Sequence, residues 1–271
     1  MSGHDCEACP VAAELAPMGM QVGGVDRVVA LAGNPNTGKS TLFNALTGLR
    51  QHTGNWPGKT VTRAEGGFAY DKVRYKIVDL PGTYSLLSAS QDEEVARDFI
   101  LFGQPHAVIV VTDASALERN LNLVLQVLEI TDRVVVAVNL MDEARRKGLD
   151  VDTRSLARDL GVPVIPIVAR TGEGLHALLT AVDGVSSGTL KTAPLRVTGT
   201  PEFEHAVSEL MTHIEAAAPG VPNSRWLAIR LLDGDARVEE ALRTGELARL
   251  VSRQQQRDVR FSKQIALQGA Q

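Results

Sequence analysis

The residues best able to do chemistry in this 271-residue chain fall in a few short stretches, and the first is GNPNTGKS at 33–40. It fills the pattern G-x-x-x-x-G-K-[ST] completely. In such a loop successive backbone N–H groups and the N-terminus of the next helix surround a phosphate chain. Gly33, Asn34, Pro35, Asn36, Thr37, Gly38, Lys39, Ser40 and Thr41 would form the loop and its exit. Lys39 is expected on the outer phosphates and the Ser40 hydroxyl on Mg²⁺. The setting agrees, with apolar VVALA before the loop and helix-like STLFNALTG after it. A glycine-rich turn that matched by chance would lack that strand-loop-helix frame.

A phosphate loop does not choose the base. NLMD at 139–142, directly after the apolar run VVVAV, does. The Asp142 carboxylate can accept from both N1–H and the exocyclic amine of guanine, donors that adenine does not present together. Leu140 stands where the motif usually carries lysine, so it and Met141 would cover the base only through apolar stems. Taken alone, an aspartate here also reads as a helix N-cap. The following run, VPVIPIV, ends in ARTGEG, where Val168, Ala169 and Arg170 would flank the base and the Ala169 N–H would meet guanine O6.

DLPG at 79–82 supplies the remaining wall. Asp79 is expected to hold Mg²⁺ through water and Gly82 to present its N–H to the γ-phosphate, although turn chemistry alone would account for Pro81 and Gly82. HTGNWPGKTVTR at 52–63 lies between the two phosphate stretches, and one of its threonines should complete the Mg²⁺ shell. Thr60, with Gly58 beside it, is the choice because it precedes a strand; Thr53 and Thr62 compete. The expected ligands are therefore GTP or GDP with Mg²⁺, and the expected catalytic set is Asn36, Lys39, Thr60 and Gly82. The residue after DLPG is Thr83, where Ras-like GTPases place a water-orienting glutamine, so intrinsic hydrolysis is expected to be slow.

These residues need a frame. DRVVALAG, VRYKIVDL, AVIVVTDA, RVVVAVNL and VPVIPIVA alternate with amphipathic stretches, the pattern of a mainly parallel sheet covered by helices on both faces. TRAEGGFAYD is close enough to VRYKIVDL to hairpin onto it, which predicts a six-stranded sheet with one strand antiparallel. SSGTLKTAP at 186–194 reads as a linker, and punctuation by Gly and Pro after it predicts about four or five helices. The expected organisation is a flexible tail over 1–25, an α/β G domain over 26–186 and a helical domain over 187–271.

Bulk properties narrow the classes. Hydrophobic content of 44% supports a core, whereas 4% aromatic residues and a net charge of −4 disfavour a nucleic-acid surface. No apolar run approaches the ~18 residues of a membrane span, and residues 1–25 lack a basic start followed by an apolar stretch, so a soluble cytosolic chain is expected. Cys6 and Cys9 sit in CEAC with His4 before them. Zinc needs about four ligands and a redox pair needs a strand-helix context, so the tail reading is preferred.

GNPNTGKSTLFNALTG, GNWPGKTV, DLPGTYSL, NLMD and, near the end, RWLAIRLLDGD together resemble the cytoplasmic N-terminal region of FeoB, the bacterial ferrous iron transport protein B family, from about Asp26 to about residue 260. The resemblance implies a Ras-like P-loop G domain, then a helical domain that acts as a spacer and stabilises bound GDP. It further implies a polytopic membrane domain of the same polypeptide that moves Fe²⁺, and a place at the cytoplasmic face of the bacterial inner membrane. Arg253, Arg257, Arg260 and Lys263 would suit a cytoplasmic flank before a membrane helix, and a solvated basic helix face would account for them equally well. Small cytoplasmic Feo-type proteins are implied partners, a homo-oligomer stays open and no nucleic acid is expected. The resemblance also implies K⁺ beside the phosphates, bound by the Asn36 side-chain oxygen and carbonyls of GNWPG, where an Asx turn at Asn36 is the alternative. Lys59 and Thr62 depart from the family pattern, which is usually apolar and acidic there.

Two other functions compete with a transporter GTPase. A soluble assembly GTPase acting on ribosomal RNA or tRNA would need a basic module after residue 190, for which the acidic WLAIRLLDGD region is ill suited. A guanine-nucleotide switch that only binds would show no useful turnover.

Overall fold

A computed structural model describes residues 24–248, apart from 50, 88, 89, 222 and 246. His4, Cys6 and Cys9, and the basic positions Arg253, Arg257, Arg260 and Lys263, lie outside the described residues. The chain divides into two units between Arg196 and Val197.

The first unit is built on seven strands: β1 (Arg27–Gly33), β2 (Gln51–Asn55), β3 (Thr62–Tyr70), β4 (Val73–Asp79), β5 (Ala107–Asp113), β6 (Val134–Asn139) and β7 (Val164–Pro166). They lie in the order β2-β3-β4-β1-β5-β6-β7. β3 alone opposes its neighbours, β2 and β4, while β4-β1-β5-β6-β7 pair in parallel. Its hairpin to β4 turns through Asp71 and Lys72 at φ 43° and 67°, the two left-handed residues that a two-residue hairpin turn requires.

The sheet thus has seven strands where the sequence pattern predicts six. The additional strand, β2, carries His, Thr, Gly and Asn, and His52 to Asn55 are exposed. It owes its place to backbone pairing with β3 (His52 opposite Glu65, Gly54 opposite Arg63), which leaves no trace in hydrophobic periodicity.

Among the described residues of this unit the α-helices are α1 (Lys39–Thr47), α2 (Gln91–Gly103), α3 (Leu117–Ile130), α4 (Met141–Arg146), α5 (Thr153–Leu160) and α6 (Leu175–Ser187). Every residue of β6 is buried, as a parallel strand covered on both faces must be. On one face Val29, Leu31, Ile109, Val111 and Val135 pack with Leu42 and Phe43 of α1 and Leu178, Val182 and Val185 of α6. The period of two turns Val28, Ala30, Val108 and Val110 to the other face, and α3 adds its buried Leu123, Val124 and Val127 to the core. Truncating one such side chain to alanine costs about 2–5 kcal/mol. This two-sided core holds the strands in register, and the carboxyl ends of β1, β4, β6 and β7 lead into the candidate residues.

The linker-like stretch stays with the first unit: Ala193 N–H bonds Gly161 O at 2.9 Å, Leu195 N–H bonds Leu160 O at 2.9 Å, and Arg196 pairs with Asp132. In the second unit the described helices are α7 (Pro201–Ala217), α8 (Ser224–Leu232) and α9 (Ala236–Arg243). The Thr200 hydroxyl caps α7, Gly234 at φ 73° follows α8, and Asp235 caps α9. Val207, Ile214, Trp226, Leu227, Val238 and Ala241 are buried. Arg230, 8% exposed, is matched by Asp233 at 2.9 Å and Asp235 at 3.1 Å, as a buried guanidinium requires.

Candidate functional site

The loop between β1 and α1 is held from within and from both sides. The Thr37 hydroxyl donates to Asn34 O at 2.9 Å, and the backbone turns left-handed at Asn36 (φ 66°) and Gly38 (φ 81°). A Cβ on Gly33 would lie 2.7 Å from Val111 O, and one on Gly38 would lie 2.3 Å from Asn139 Nδ2. Gly33 is therefore demanded by the close approach of the Val111 backbone and Gly38 by that of the Asn139 side chain. Asn36, Ser40 and Thr41 are exposed at the loop's open side.

Asn139, 1% exposed at the end of β6, is the brace of the site. Its Nδ2 donates to Thr37 O at 2.9 Å and its Oδ1 accepts from Ala169 N–H at 3.0 Å. One carboxamide thereby fixes the phosphate loop to the loop after β7, across 102 residues of sequence on one side and 30 on the other. The sequence reading gave the Ala169 N–H to guanine O6. That amide is already partnered by Asn139, and serving the base as well would require a three-centre bond. Asp142, in the first turn of α4, accepts from Arg170 at 2.7 Å, with Arg146 at 3.7 Å. The bond from Arg170 holds the Asp142 carboxyl below its ordinary range, so it is a charged acceptor. Leu140, at φ 62°, makes the turn between Asn139 and that helix, and Met141 N–H reaches Ile167 O at 3.4 Å; Val168 is buried.

At the end of β4, Lys39 Nζ is paired with the Asp79 carboxylate and donates to Leu80 O at 2.7 Å. Burial pushes the Asp79 carboxyl above its ordinary range, and the charge and hydrogen bond of Lys39 oppose that rise. Gly82 rests on the phosphate loop: a Cβ there would be 3.6 Å from Pro35 Cα. Thr83 is buried at 5% exposure. The loop beyond is tied to α3, through Leu86 N–H to Gln126 Oε1 at 2.6 Å and Arg119 stacked 4.4 Å from the Tyr84 ring centroid. Sequence reasoning missed Gln126 and Arg119, because no local pattern marks a helix residue that holds a distant loop.

The 52–63 segment is anchored on α2. Trp56 is 5% exposed and meets Phe99 edge-on at 5.5 Å. Lys59 Nζ lies 2.5 Å from Glu94 Oε2, and the Thr60 hydroxyl donates to Gln91 Oε1 at 3.4 Å. Gly58 and Thr60 are exposed; Thr53 and Thr62 belong to the β2–β3 hairpin. Thr60 is thus placed with α2, whereas Lys39, Asp79 and Gly82 are gathered on the phosphate loop.

Among the described residues no group of three or more His, Cys, Asp or Glu could hold a metal. Mg²⁺ at a phosphate site asks for less: one or two carboxylates, with phosphate and water oxygens completing an octahedron. The Asp79 carboxylate and the Ser40 hydroxyl are hard oxygen donors of that kind. The Lys39 ammonium seated on Asp79 is itself a cation at that position, so the donor set fits.

A family model described as ferrous iron transport protein B matches residues 27–182, and a model of the FeoB cytosolic helical domain matches 200–264. The chain belongs to the FeoB family. The Fe(2+) transporter FeoB of Escherichia coli K12 is 40% identical over 217 residues, covering 76% of this chain and 27% of that protein. The chain therefore spans roughly a quarter of that FeoB relative's length. The solved cytosolic domain of L. pneumophila FeoB is 37% identical with a TM-score of 0.72, covering 87% of this chain and 93% of that one. The T. maritima FeoB cytosolic domain in its GMPPNP form is 33% identical with a TM-score of 0.74, covering 87% and 96%. Like these FeoB domains, the chain is a Ras-like G domain followed by a helical domain. Among the described residues no helix is long and apolar enough to cross a membrane.

Proposed function

We propose that this chain is the GTP-binding and GTP-hydrolysing region of a ferrous iron transporter, in which the nucleotide state is coupled to Fe²⁺ uptake through a membrane domain of the same polypeptide at the inner membrane. The observation that carries the nucleotide reading is the Asn139 brace, which joins a complete phosphate loop to the guanine side of the site. The form of the T. maritima relative with GMPPNP supports the same reading.

In this reading the backbone N–H groups of residues 34–40 and Lys39 bind the phosphates, and Lys39 leaves Asp79 as it does so. Asp142 selects guanine as acceptor for N1–H and the exocyclic amine. Ser40, Thr60 and Asp79 are the residues that would hold Mg²⁺, and the ion would supply charge neutralisation for the phosphates. Gly82 offers its N–H to the γ-phosphate. Thr83 has neither the reach nor the amide of the glutamine used elsewhere to orient water, so the intrinsic rate is slow. Asn36, exposed on the open side of the loop, would help hold a K⁺, and such an ion would supply fixed positive charge to offset the charge that develops on the phosphates.

GTP turnover measured in K⁺ and in Na⁺, for the wild-type chain and for Asn36→Ala, tests this. K⁺ should accelerate the wild type and lose its advantage in the variant. Equal rates in all four conditions would refute the cation, and no turnover in any would refute the hydrolase.

A further inference from the structure

We infer that Lys59 and Glu94 are paired positioning residues that set how readily the Thr60 hydroxyl leaves α2 to join GTP and Mg²⁺. The inference rests on the reading of Thr60 as a Mg²⁺ ligand given above.

The described contacts that join the 52–63 segment to α2 are of unequal strength. Trp56 is sunk against Phe99 and is the deep anchor. Its carbonyl also accepts the Lys59 N–H at 3.0 Å, and its N–H bonds Val61 O at 3.0 Å, so residues 56–61 form a closed turn. Lys59 to Glu94, at 2.5 Å, is the second contact, with the side chains 28% and 33% exposed. The third, Thr60 to Gln91 at 3.4 Å, is long and exposed, hence weak. Thr60 therefore stays on α2 chiefly because its neighbour Lys59 is tethered there. Bringing the Thr60 hydroxyl to a metal at Ser40 and Asp79 breaks the second and third contacts and can leave the first intact. GDP lacks the γ-phosphate and has no need of that movement. The pair thus opposes binding of the triphosphate form specifically, as any equilibrium that limits the competent fraction does.

An exposed pair of this kind is weak and screened by salt, so its removal should tighten binding about 1.5- to 5-fold. The 271-residue chain is titrated with Mg²⁺·GMPPNP and separately with GDP, in wild type, Lys59→Met, Glu94→Gln, the exchange Lys59→Glu with Glu94→Lys, and Thr60→Ala. Each single variant at the pair should bind Mg²⁺·GMPPNP that much tighter while GDP affinity stays put. The exchange should restore the wild-type ratio, and about 1 M salt should erase the difference. A general loss of folding would move both affinities together and leave their ratio unchanged. If Thr60→Ala weakens Mg²⁺·GMPPNP binding but the pair variants keep the wild-type ratio, this inference fails and the Thr60 reading stands. If Thr60→Ala changes nothing, the Thr60 reading fails and takes this one with it.

Discussion

Asn139→Ala is the substitution whose outcome the geometry constrains most. It deletes both arms of the brace and strands two backbone groups, the Thr37 carbonyl and the Ala169 N–H, at a buried position. Each buried polar group left without a partner costs about 1–3 kcal/mol. Partial relaxation around the lost carboxamide brings the sum to about 2–4 kcal/mol. For a unit of this size each kcal/mol lowers Tm by about 2–4 °C, so a fall of about 4–16 °C is expected. Trp56 lies in the first unit and Trp226 in the second, and they are the only tryptophans. Thermal unfolding followed by Trp56 emission in a Trp226→Phe background therefore reports the first unit alone. The phosphate loop and the 168–170 loop also lose their common anchor, so GDP affinity should drop at least about tenfold, or 1.4 kcal/mol. Asn139→Asp keeps the acceptor for Ala169 but sets an oxygen against Thr37 O, and it should be no milder. A Tm within about 2 °C of wild type together with unchanged GDP affinity would refute the brace.

Gly38→Ala should abolish GDP binding in a titration, because its Cβ would lie 2.3 Å from Asn139 Nδ2 at φ 81°. Gly48→Ala, also left-handed at φ 59° but with nothing within 4 Å, should cost only the ~1–2 kcal/mol of the backbone conformation and leave GDP affinity intact. Asp142→Asn replaces a charged acceptor by a group that can donate, so GDP affinity should fall at least about tenfold while xanthosine diphosphate, with a carbonyl in place of the amine, gains. Tyr75, buried and bonded to Asp183 at 2.6 Å, has its hydroxyl pushed up from 10.0 to about 12, by burial first and that bond second. Its raised folded value means the neutral phenol's contribution is fully present below pH 10 and is lost as pH climbs from 10 to 12. Denaturant unfolding across that window should show a steeper alkaline loss in wild type than in Tyr75→Phe.

Where a motif is contiguous, the sequence was enough. GNPNTGKS carries its pattern within eight consecutive residues between a strand and α1, so its glycines, Lys39 and Ser40 are legible from spacing, although the contacts that demand Gly33 and Gly38 come from Val111 and Asn139. The strands β1, β4, β5 and β6 were legible too, because runs buried on both faces leave continuous β-branched stretches. β2 was not, since pairing through the backbone places no demand on side-chain type. Ala169 shows the same limit at the site: spacing brought it to the guanine side, but only the folded arrangement revealed that its N–H is already taken by Asn139.

Local chain chemistry thus set the role proposed for each stretch: phosphate binding at 33–40, guanine selection at 139–142, γ-phosphate contact at 79–82, with threonine and no glutamine at Thr83. Tertiary structure decided what each group touches. Asn139, at the end of β6, reaches Ala169 because β7 lies beside β6 and Thr37 because β1 is one strand further, beyond β5; Lys39 finds Asp79 because β4 lies beside β1, and Thr60 stays on α2 because its neighbour Lys59 pairs with Glu94 there. Those partners are far apart in sequence and adjacent only through strand order and packing, which no local pattern of residues encodes.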